Sequence, residues 1–427
     1  MSATGVSLDV TRELRGICGD DNARERPRGG AYVSPATAEE VAAVLVLANE
    51  RQLSVGPAGG WTERSSGAPG VDIVLHLNRL TQVEHYDHAD LTVGVGAGTT
   101  VTQLNAMVGA DRLLFACDPP LPERATVGGV LAAANHGPLR HGYGALRDYC
   151  IGIRFVTGDG RRAKGGGRVV KNVAGYDLMK LFIGSFGTLA VITSASFKLF
   201  PAPRQTKTFL AEFGSAAEAI RFRDLVMRLP LAPICLELVS PGARKMMRKE
   251  MTSDAWVICV RAAGSDTVLA RYRKELGSAV TREVEGEDET KMWRAIENFP
   301  AVADGSGTSG SPGELEQRIH VTVPMREVMT VVDTLNDIGK QGKIAVAFIG
   351  RVGVGHVLAT TRDAGSHAAN PVGIVVDALR AKLGADVGVK VESAGNPWPI
   401  APANLASMRA VKQALDPSDI LHGREIF

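Results

Sequence analysis

The stretch from Gly165 to Pro201, GGGRVVKNVAGYDLMKLFIGSFGTLAVITSASFKLFP, limits most strongly what this chain can fold into. It reads as a glycine-rich loop, a polar turn at Lys171 and Asn172, and a helix opened by Gly175, Tyr176 and Asp177 that runs to Phe182. A glycine break at 184–187 follows, then a long β-branched strand over 188–199. Glycines where a helix or strand begins let backbone N–H groups approach a ligand closely, and a helix N-terminus suits a phosphate. Tyr176 and Asp177 would supply a flat face and an acceptor for a ribose hydroxyl. Two ordinary turns around a helix explain the glycines taken alone.

A chain of 427 residues with 45% apolar content can bury two or three cores. Its net charge of +2 and few aromatics give no sign of a nucleic-acid partner. Cys18, Cys117, Cys150, Cys235 and Cys259 are scattered without a CxxC, which speaks against iron–sulfur ligation, zinc fingers and a disulfide framework. No run reaches the length of a membrane span and the first residues hold no apolar leader, so the expected location is the cytoplasm.

Residues 1–30 are polar and Arg-rich and are expected to form an N-terminal arm. Thr37 followed by Glu40 makes a capping box, and Val41, Val44, Leu45 and Ala48 form one helical face. A short strand over 53–55 runs into Gly56-Pro57-Ala58-Gly59-Gly60-Trp61-Thr62, a pattern suited to an anion-binding nest or to a plain turn. Residues 73–77, 83–86 and 91–95 read as strands of one small sheet. Gly94, Gly96 and Gly98 stop short of a Rossmann fingerprint, because its third glycine would fall at Thr99. After a short helix over 101–108, Thr126-Val127-Gly128-Gly129 opens a small-residue helix over 130–134 that admits tight packing or a flat ring. His136 and His141 lack a third ligand at metal spacing and read as loop bystanders. A strand over 150–157 and a hairpin turn at 158–160 lead back to the opening stretch.

Beyond Pro203 the texture changes. Strands over 206–213, 234–239 and 256–261 alternate with amphipathic helices over 217–229 and 268–276. After a Gly/Ser linker over 304–313 come a strand (318–323), a helix (326–338), two strands (344–349 and 356–361), a helix (371–383) and a strand (387–392). Strand–helix–strand used twice suggests an α+β cap of ferredoxin-like type. The acidic cluster over 283–289 reads as a solvated helix start.

Taken as whole strings, KNVAGYDL and GSFGTLAVIT, with TVGG at 126–129, NHGPLR at 135–140 and YG…D at Tyr143, Gly144 and Asp148, resemble the PCMH-type flavoproteins. These form the vanillyl-alcohol-oxidase-like, FAD-linked oxidase superfamily, and within it the likeness is greatest to the FAD-binding smaller subunit of bacterial glycolate oxidase. The closing LDPSDILHGREIF resembles the family's FDPxGIxNPGR, from which His422 and Glu425 depart. The resemblance implies an α+β fold: a two-subdomain PCMH-type FAD-binding domain over 31–203 and the cap domain over 204–427. It also implies FAD, held noncovalently because the glycine loop contains no histidine. The pyrophosphate loop would be Pro57, Ala58, Gly59, Gly60, Trp61 and Thr62, with Trp61 where relatives often carry Gly, Asn or His. Thr126, Val127, Gly128, Gly129 and Ala132 would lie along the flavin. Gly142, Tyr143, Gly144, Asp148, Gly175, Tyr176, Asp177, Gly187 and Ile192 complete the implied cofactor set.

Flavin enzymes that oxidise 2-hydroxy acids need cations for the carboxylate and a base for the hydroxyl proton, while the flavin accepts the hydride. The D-lactate and D-2-hydroxyglutarate dehydrogenase relatives, each a single polypeptide, carry an HxGDGNxH-like cluster in the cap. Here Gly353-Val354-Gly355-His356 lacks the acid and the second histidine, so no metal site is expected. His320, Arg351 and His356 are the remaining catalytic candidates, expected to face solvent or satisfy backbone rather than to converge. The implied function is an FAD-binding subunit that oxidises a small 2-hydroxy acid such as glycolate. It would act beside a larger FAD-linked oxidase subunit and an iron–sulfur subunit, touching the inner face of a membrane only through them and turning over poorly alone. A stand-alone FAD-dependent D-2-hydroxy-acid dehydrogenase is one alternative. A flavin-less structural subunit is the other, and the intact loop glycines argue against it.

Overall fold

The computed structural model describes residues 8–27, 29–62, 70–168, 176–247, 255–299, 317–342, 344–363, 370–384, 387–392 and 404–422. Lys171, Asn172, Gly175, Glu425 and the linker over 304–313 lie outside the described residues. The chain is of α+β class, as expected.

Thr37 Oγ1 accepts the Glu40 N–H at 3.1 Å and starts the helix Ala38–Glu50, which buries Val41, Val44, Leu45, Leu47 and Ala48. That face shares a core with a four-stranded sheet ordered Ala23–Glu25, Ala31–Val33, Ile73–His76, Val55–Ala58. Ile73–His76 pairs in parallel with both its neighbours. The expected arm over 1–30 is instead structured from residue 8. Helix Leu8–Cys18 sinks Val10, Leu14 and Cys18, spaced by four, into this core, and Ala23–Glu25 adds the edge strand.

A five-stranded antiparallel sheet follows, ordered Val83–Asp87, Thr92–Gly96, Ala190–Lys198, Cys150–Thr157, Arg162–Gly166. Residues 73–77 therefore do not share a sheet with 83–86 and 91–95. The parallel register with Val55–Ala58 claims Ile73–His76 for the first sheet. Ala190–Lys198 is buried along nearly its whole length and is the centre of its sheet.

The remainder builds one eight-stranded antiparallel sheet. Its order is Arg282–Val284, Thr206–Phe213, Trp256–Ala263, Cys235–Val239, Ile344–Arg351, His356–Asp363, Gln317–Thr322, Gly388–Glu392. Helices Ala216–Arg228, Asp266–Leu276, Val328–Lys340 and Pro371–Leu383 pack their apolar stripes on one face. On the other face Val239, Ala347, Ile349 and Leu358 pack with Leu139 and Tyr143 from the first half of the chain. The acidic cluster is not simply solvated. Glu289, 2% exposed, accepts the Thr206 and Thr208 hydroxyls, while Glu283 pairs with Lys207 and Arg273. The C-terminal segment returns to the first half: Ile420 and Leu421 join the core under the first sheet, and Leu421 bridges Val55.

Candidate functional site

Strand Val55–Ala58 delivers Gly59, Gly60, Trp61 and Thr62 to the rim of a cleft between the first two sheets. Close approach explains the glycines. A Cβ on Gly59 would stand 2.2 Å from Thr126 Oγ1, and one on Gly60 would stand 1.6 Å from the Arg124 carbonyl oxygen. Trp61 holds φ at 56°, a left-handed conformation costly for a bulky side chain. Its ring lies 6.1 Å from that of His76, and His76 Nε2 is 2.9 Å from the Gly59 carbonyl oxygen.

Thr126 accepts the Gly129 N–H at 3.3 Å and caps the helix Val127–Ala133, which forms the cleft floor. The helix is anchored by the Gly128 N–H donating to the Ala97 carbonyl at 2.8 Å. It ends at Ala134 in a left-handed cap. The turn carrying Phe186 and Gly187 closes over it, with Phe186 N–H donating to Ala132 and Gly184 N–H to Leu131. No charged side chain is among the described residues that line the cleft, and Ala132, Ala133, Ala190 and Ile192 complete its apolar wall. A Cβ on Gly129 would meet only Thr126 Oγ1, at 3.0 Å, so a side chain there would grow into the cleft. The cleft therefore fits a long, flat ligand with a largely apolar body. The same measure places the Gly128 Cβ position 2.7 Å from Ala97 Cβ, against protein rather than toward the cleft.

Of the implied cofactor set, Pro57 to Thr62, Thr126, Gly128, Gly129, Ala132, Gly187 and Ile192 line this cleft together. Val127 is buried in the core beneath it. Four others stand at the junction with the eight-stranded sheet instead. The Cβ position of Gly142 faces the Ile234 backbone at 2.7 Å, and Tyr143 packs edge-on against Phe200. Gly144 turns with φ at 85°, and Asp148 accepts the Ala145 N–H at 2.7 Å. Tyr176 is 90% exposed and Asp177 pairs with Lys180 at 2.6 Å, so neither touches the cleft. The short helix begins only at Leu178, which leaves both on the outer surface.

A second cavity of about 390 Å³ adjoins the cleft, sharing Ala133 and Phe186 with it. Here the expectation for the catalytic candidates is corrected: His320, Arg351 and His356 converge on this cavity rather than facing solvent. Strand register brings them together. Arg351 stands opposite His356, His356 opposite Thr322, and His320 opposite Lys390, so all share one sheet face. Arg351 Nη1 lies 3.0 Å from His356 Nδ1, and His356 Nε2 lies 3.3 Å from His320 Nδ1. Behind them the carboxylate of fully buried Glu237 sits 4.0 Å from Arg351 Nε. Arg140, Arg147, Lys180 and His136 line the remaining wall, and no Asp or Glu is among the described lining residues. Lys390 Nζ stands 4.3 Å over the Phe186 ring. Burial and the Arg351 charge push the His356 imidazole well below its ordinary value, and burial with Arg140, Arg351 and Lys390 takes His136 down to about 3. Both are neutral imidazoles set among cations. A cavity with this charge suits an anion. His136, read from the sequence as a loop bystander, lines this cavity, and Arg140, Arg147, Lys180 and Lys390 were missed as lining residues because only the fold gathers them.

Comparison with known proteins agrees with this geometry. Residues 30–166 match a family described as an FAD binding domain. The chain is 37% identical over 230 residues to a D-lactate dehydrogenase of Archaeoglobus fulgidus, a match covering 53% of this chain and 50% of that protein. It is 25% identical over 381 residues to glycolate oxidase subunit GlcD of Bacillus subtilis, covering 82% and 80% respectively. To glycolate oxidase subunit GlcE of Escherichia coli it is 33% identical over 171 residues, covering 40% and 49%. The match thus spans about half the length of the first and third of these relatives. Among solved structures, p-cresol methylhydroxylase with substrate bound superposes with a TM-score of 0.75 at 17% identity, covering 98% of this chain and 96% of that one. Alkyldihydroxyacetonephosphate synthase superposes with a TM-score of 0.75 at 16% identity, covering 100% and 86%. No helix among the described residues is long and apolar enough to cross a membrane.

Proposed function

We propose that this chain, an FAD-linked oxidoreductase whose fold is that of the PCMH-type flavoproteins, oxidises a small 2-hydroxy acid to the 2-oxo acid. The reading rests on one observation: a cavity lined by Arg351, Arg140, Lys390 and His320 adjoins the glycine-lined cleft, the two sharing Ala133 and Phe186 as walls. Gly59 to Thr62 would hold the pyrophosphate of FAD, and Gly128, Gly129 and Ala132 would lie along its ring system, without a covalent bond. The bound flavin supplies a two-electron acceptor. The protein's own part is to fix the substrate carboxylate against the cations and present its C–H bond toward the cleft. Exclusion of water by Phe186 and the junction strengthens these charge contacts.

The test is anaerobic mixing of the purified flavoprotein with glycolate, D-lactate and D-2-hydroxyglutarate. Loss of the oxidised-flavin absorbance with at least one of them is expected. Acid precipitation should release the flavin to the supernatant, and flavin left in the pellet would contradict noncovalent binding. Gly129→Leu fills the cleft and should abolish FAD retention while leaving the apoprotein's unfolding midpoint within experimental spread.

A second reading, a subunit of a glycolate-oxidase-type complex with a larger FAD-linked oxidase and an iron–sulfur subunit, is favoured by the likeness to GlcE. Bleaching only after such partners are added would select it. No bleaching under either condition would dismiss both.

A further inference from the structure

We propose that the outer face of the five-stranded sheet carries a further ligand site, which holds a phosphoryl group and is separate from both the cleft and the cavity beside it. A pocket of about 370 Å³ lies there, lined by Glu84, Arg154, Lys164, Arg168, Ser194 and Ser196, with Gly152 and the glycines at 165–167 between them. The glycine-rich loop that opens the stretch 165–201 thus borders this pocket and not the cleft.

A bulge in the central strand makes the floor. Ile192 stands opposite Phe155 and Ser194 opposite Arg154, so Thr193 is an extra residue with no counterpart on Cys150–Thr157. One extra residue inverts the alternation of a strand. Before it, Ala190 and Ile192 face the core beneath the cleft; after it, Ala195 and Phe197 do. Ser194 and Ser196 are thereby turned to the opposite face. Without the bulge both serines would point into that core, and Phe197, fully buried here, would point outward. At Val156 and Val191 the opposite face is covered by the core of the first sheet. The pocket lies beyond them.

Nothing in the fold uses the polar groups delivered there. Ser194 is 2% exposed and Ser196 9%, yet neither hydroxyl makes a hydrogen bond with the described residues, and both oxygens stay open to the pocket. Strand register sets cations beside them: Ser194 stands opposite Arg154, and Arg154 opposite Lys164, in one row across three strands. The next row, Ser196 and Gly152, carries almost no side chain. A Cβ on Gly152 would stand 2.6 Å from the Gly167 carbonyl oxygen, so backbone walls the hollow where a side chain would fill it.

The charge selects the ligand. Arg154 pairs with Glu84 at 3.1 Å, whereas Lys164 and Arg168 make no ion pair with the described residues. Three cations against one carboxylate leave the pocket with two positive charges. A phosphate dianion matches that excess, and its oxygens accept from hydroxyls and cations alike. Same-face neighbours on a strand lie roughly 6.5 Å apart, a span that one tetrahedral oxyanion bridges by accepting from both serines. Bare phosphate fills only part of the pocket, so the organic portion of a small phosphate monoester also has room.

The test is calorimetry on the flavin-loaded protein at fixed ionic strength, with inorganic phosphate, ribose 5-phosphate and ribose as probes. Saturable binding of both phosphates, and none of ribose, is expected. Tighter binding of ribose 5-phosphate identifies a monoester as the ligand, and binding no tighter than inorganic phosphate identifies free phosphate; both support the site. Lys164→Gln and Ser194→Ala should each weaken the phosphates about tenfold, the scale of one hydrogen bond to a charged group, with the flavin spectrum and urea midpoint unchanged. Lys390→Gln, in the cavity beside the cleft, should leave the phosphate Kd as it is. If Ser194→Ala does not fold, Lys164→Gln decides alone, because that side chain is exposed. No saturable binding of either phosphate, an unchanged Kd in Lys164→Gln, or a loss in Lys390→Gln in its place would overturn the proposal.

Discussion

At Gly60 a methyl group would stand 1.6 Å from the Arg124 carbonyl oxygen, so the loop and the segment before Thr126 touch through bare backbone. Gly60→Ala must push them apart and should cost about 3 kcal/mol in urea unfolding, the upper end of overpacking penalties. Gly167→Ala is the control: its Cβ would meet nothing within 4 Å, and the cost should stay within about 0.5 kcal/mol. Gly128→Val is a poor probe of flavin binding, because its Cβ position faces Ala97 and stability would fall along with the cofactor. Tyr176 and Asp177 show the limit of motif reading at this scale. Their string was legible, but which surface a residue faces depends on where its helix starts. Asp177→Ala removes only an exposed pair with Lys180, so FAD affinity should hold and stability should change by about 0.5 kcal/mol or less.

At the scale of elements, periodicity read well wherever one face was apolar. The helix Pro371–Leu383 and the strand Thr206–Phe213 have the expected bounds because alternation and caps leave little choice. Helix Leu8–Cys18 was illegible because Asp9, Arg12, Glu13 and Arg15 outnumber the three buried apolar positions, Val10, Leu14 and Cys18, that define its stripe. The converging row was illegible for another reason: His320 and His356 lie on strands whose mutual register no local pattern states. Glu289 teaches the same lesson, since its burial depends on strand Thr206–Phe213 crossing beneath it. It accepts two hydroxyls and stands 3.4 Å from Arg261 Nε. Glu289→Ala strips these partners together and should lower stability by about 3–5 kcal/mol, read from the urea midpoint, with Glu289→Gln losing less.

Across the whole molecule, the two halves meet at a buried acidic group. Burial lifts Asp118 to about 7, and Glu237 and Glu297 each to about 8, from ordinary values of 3.8 and 4.5. The folded state therefore holds protons that the unfolded chain releases. Their contribution to stability is full below the unfolded values, declines as the pH rises, and is gone once the pH passes about 8. Burial also holds imidazoles such as His136 and His356 neutral, with the opposite pH dependence below their ordinary value of 6.5. The melting temperature should accordingly fall between about pH 6.5 and pH 8 and then level. Glu237→Gln, which cannot release a proton, should flatten part of that slope.

The bridge between Leu421 and Val55 has a consequence for how the protein is made. The strand that feeds the glycine loop is flanked by a segment from far along the chain, with Ile420 and Leu421 filling its core. Until residues 404–422 have been synthesised, that strand lacks its Leu421 neighbour and is held on one side by Ile73–His76. Closure of the cofactor cleft must then await release of the C-terminal segment, a contact of extreme sequence separation that makes folding slow. Flavin should be captured only after residues 404–422 have emerged, and stalled nascent chains lacking residues 404–422 should bring no FAD with them when isolated.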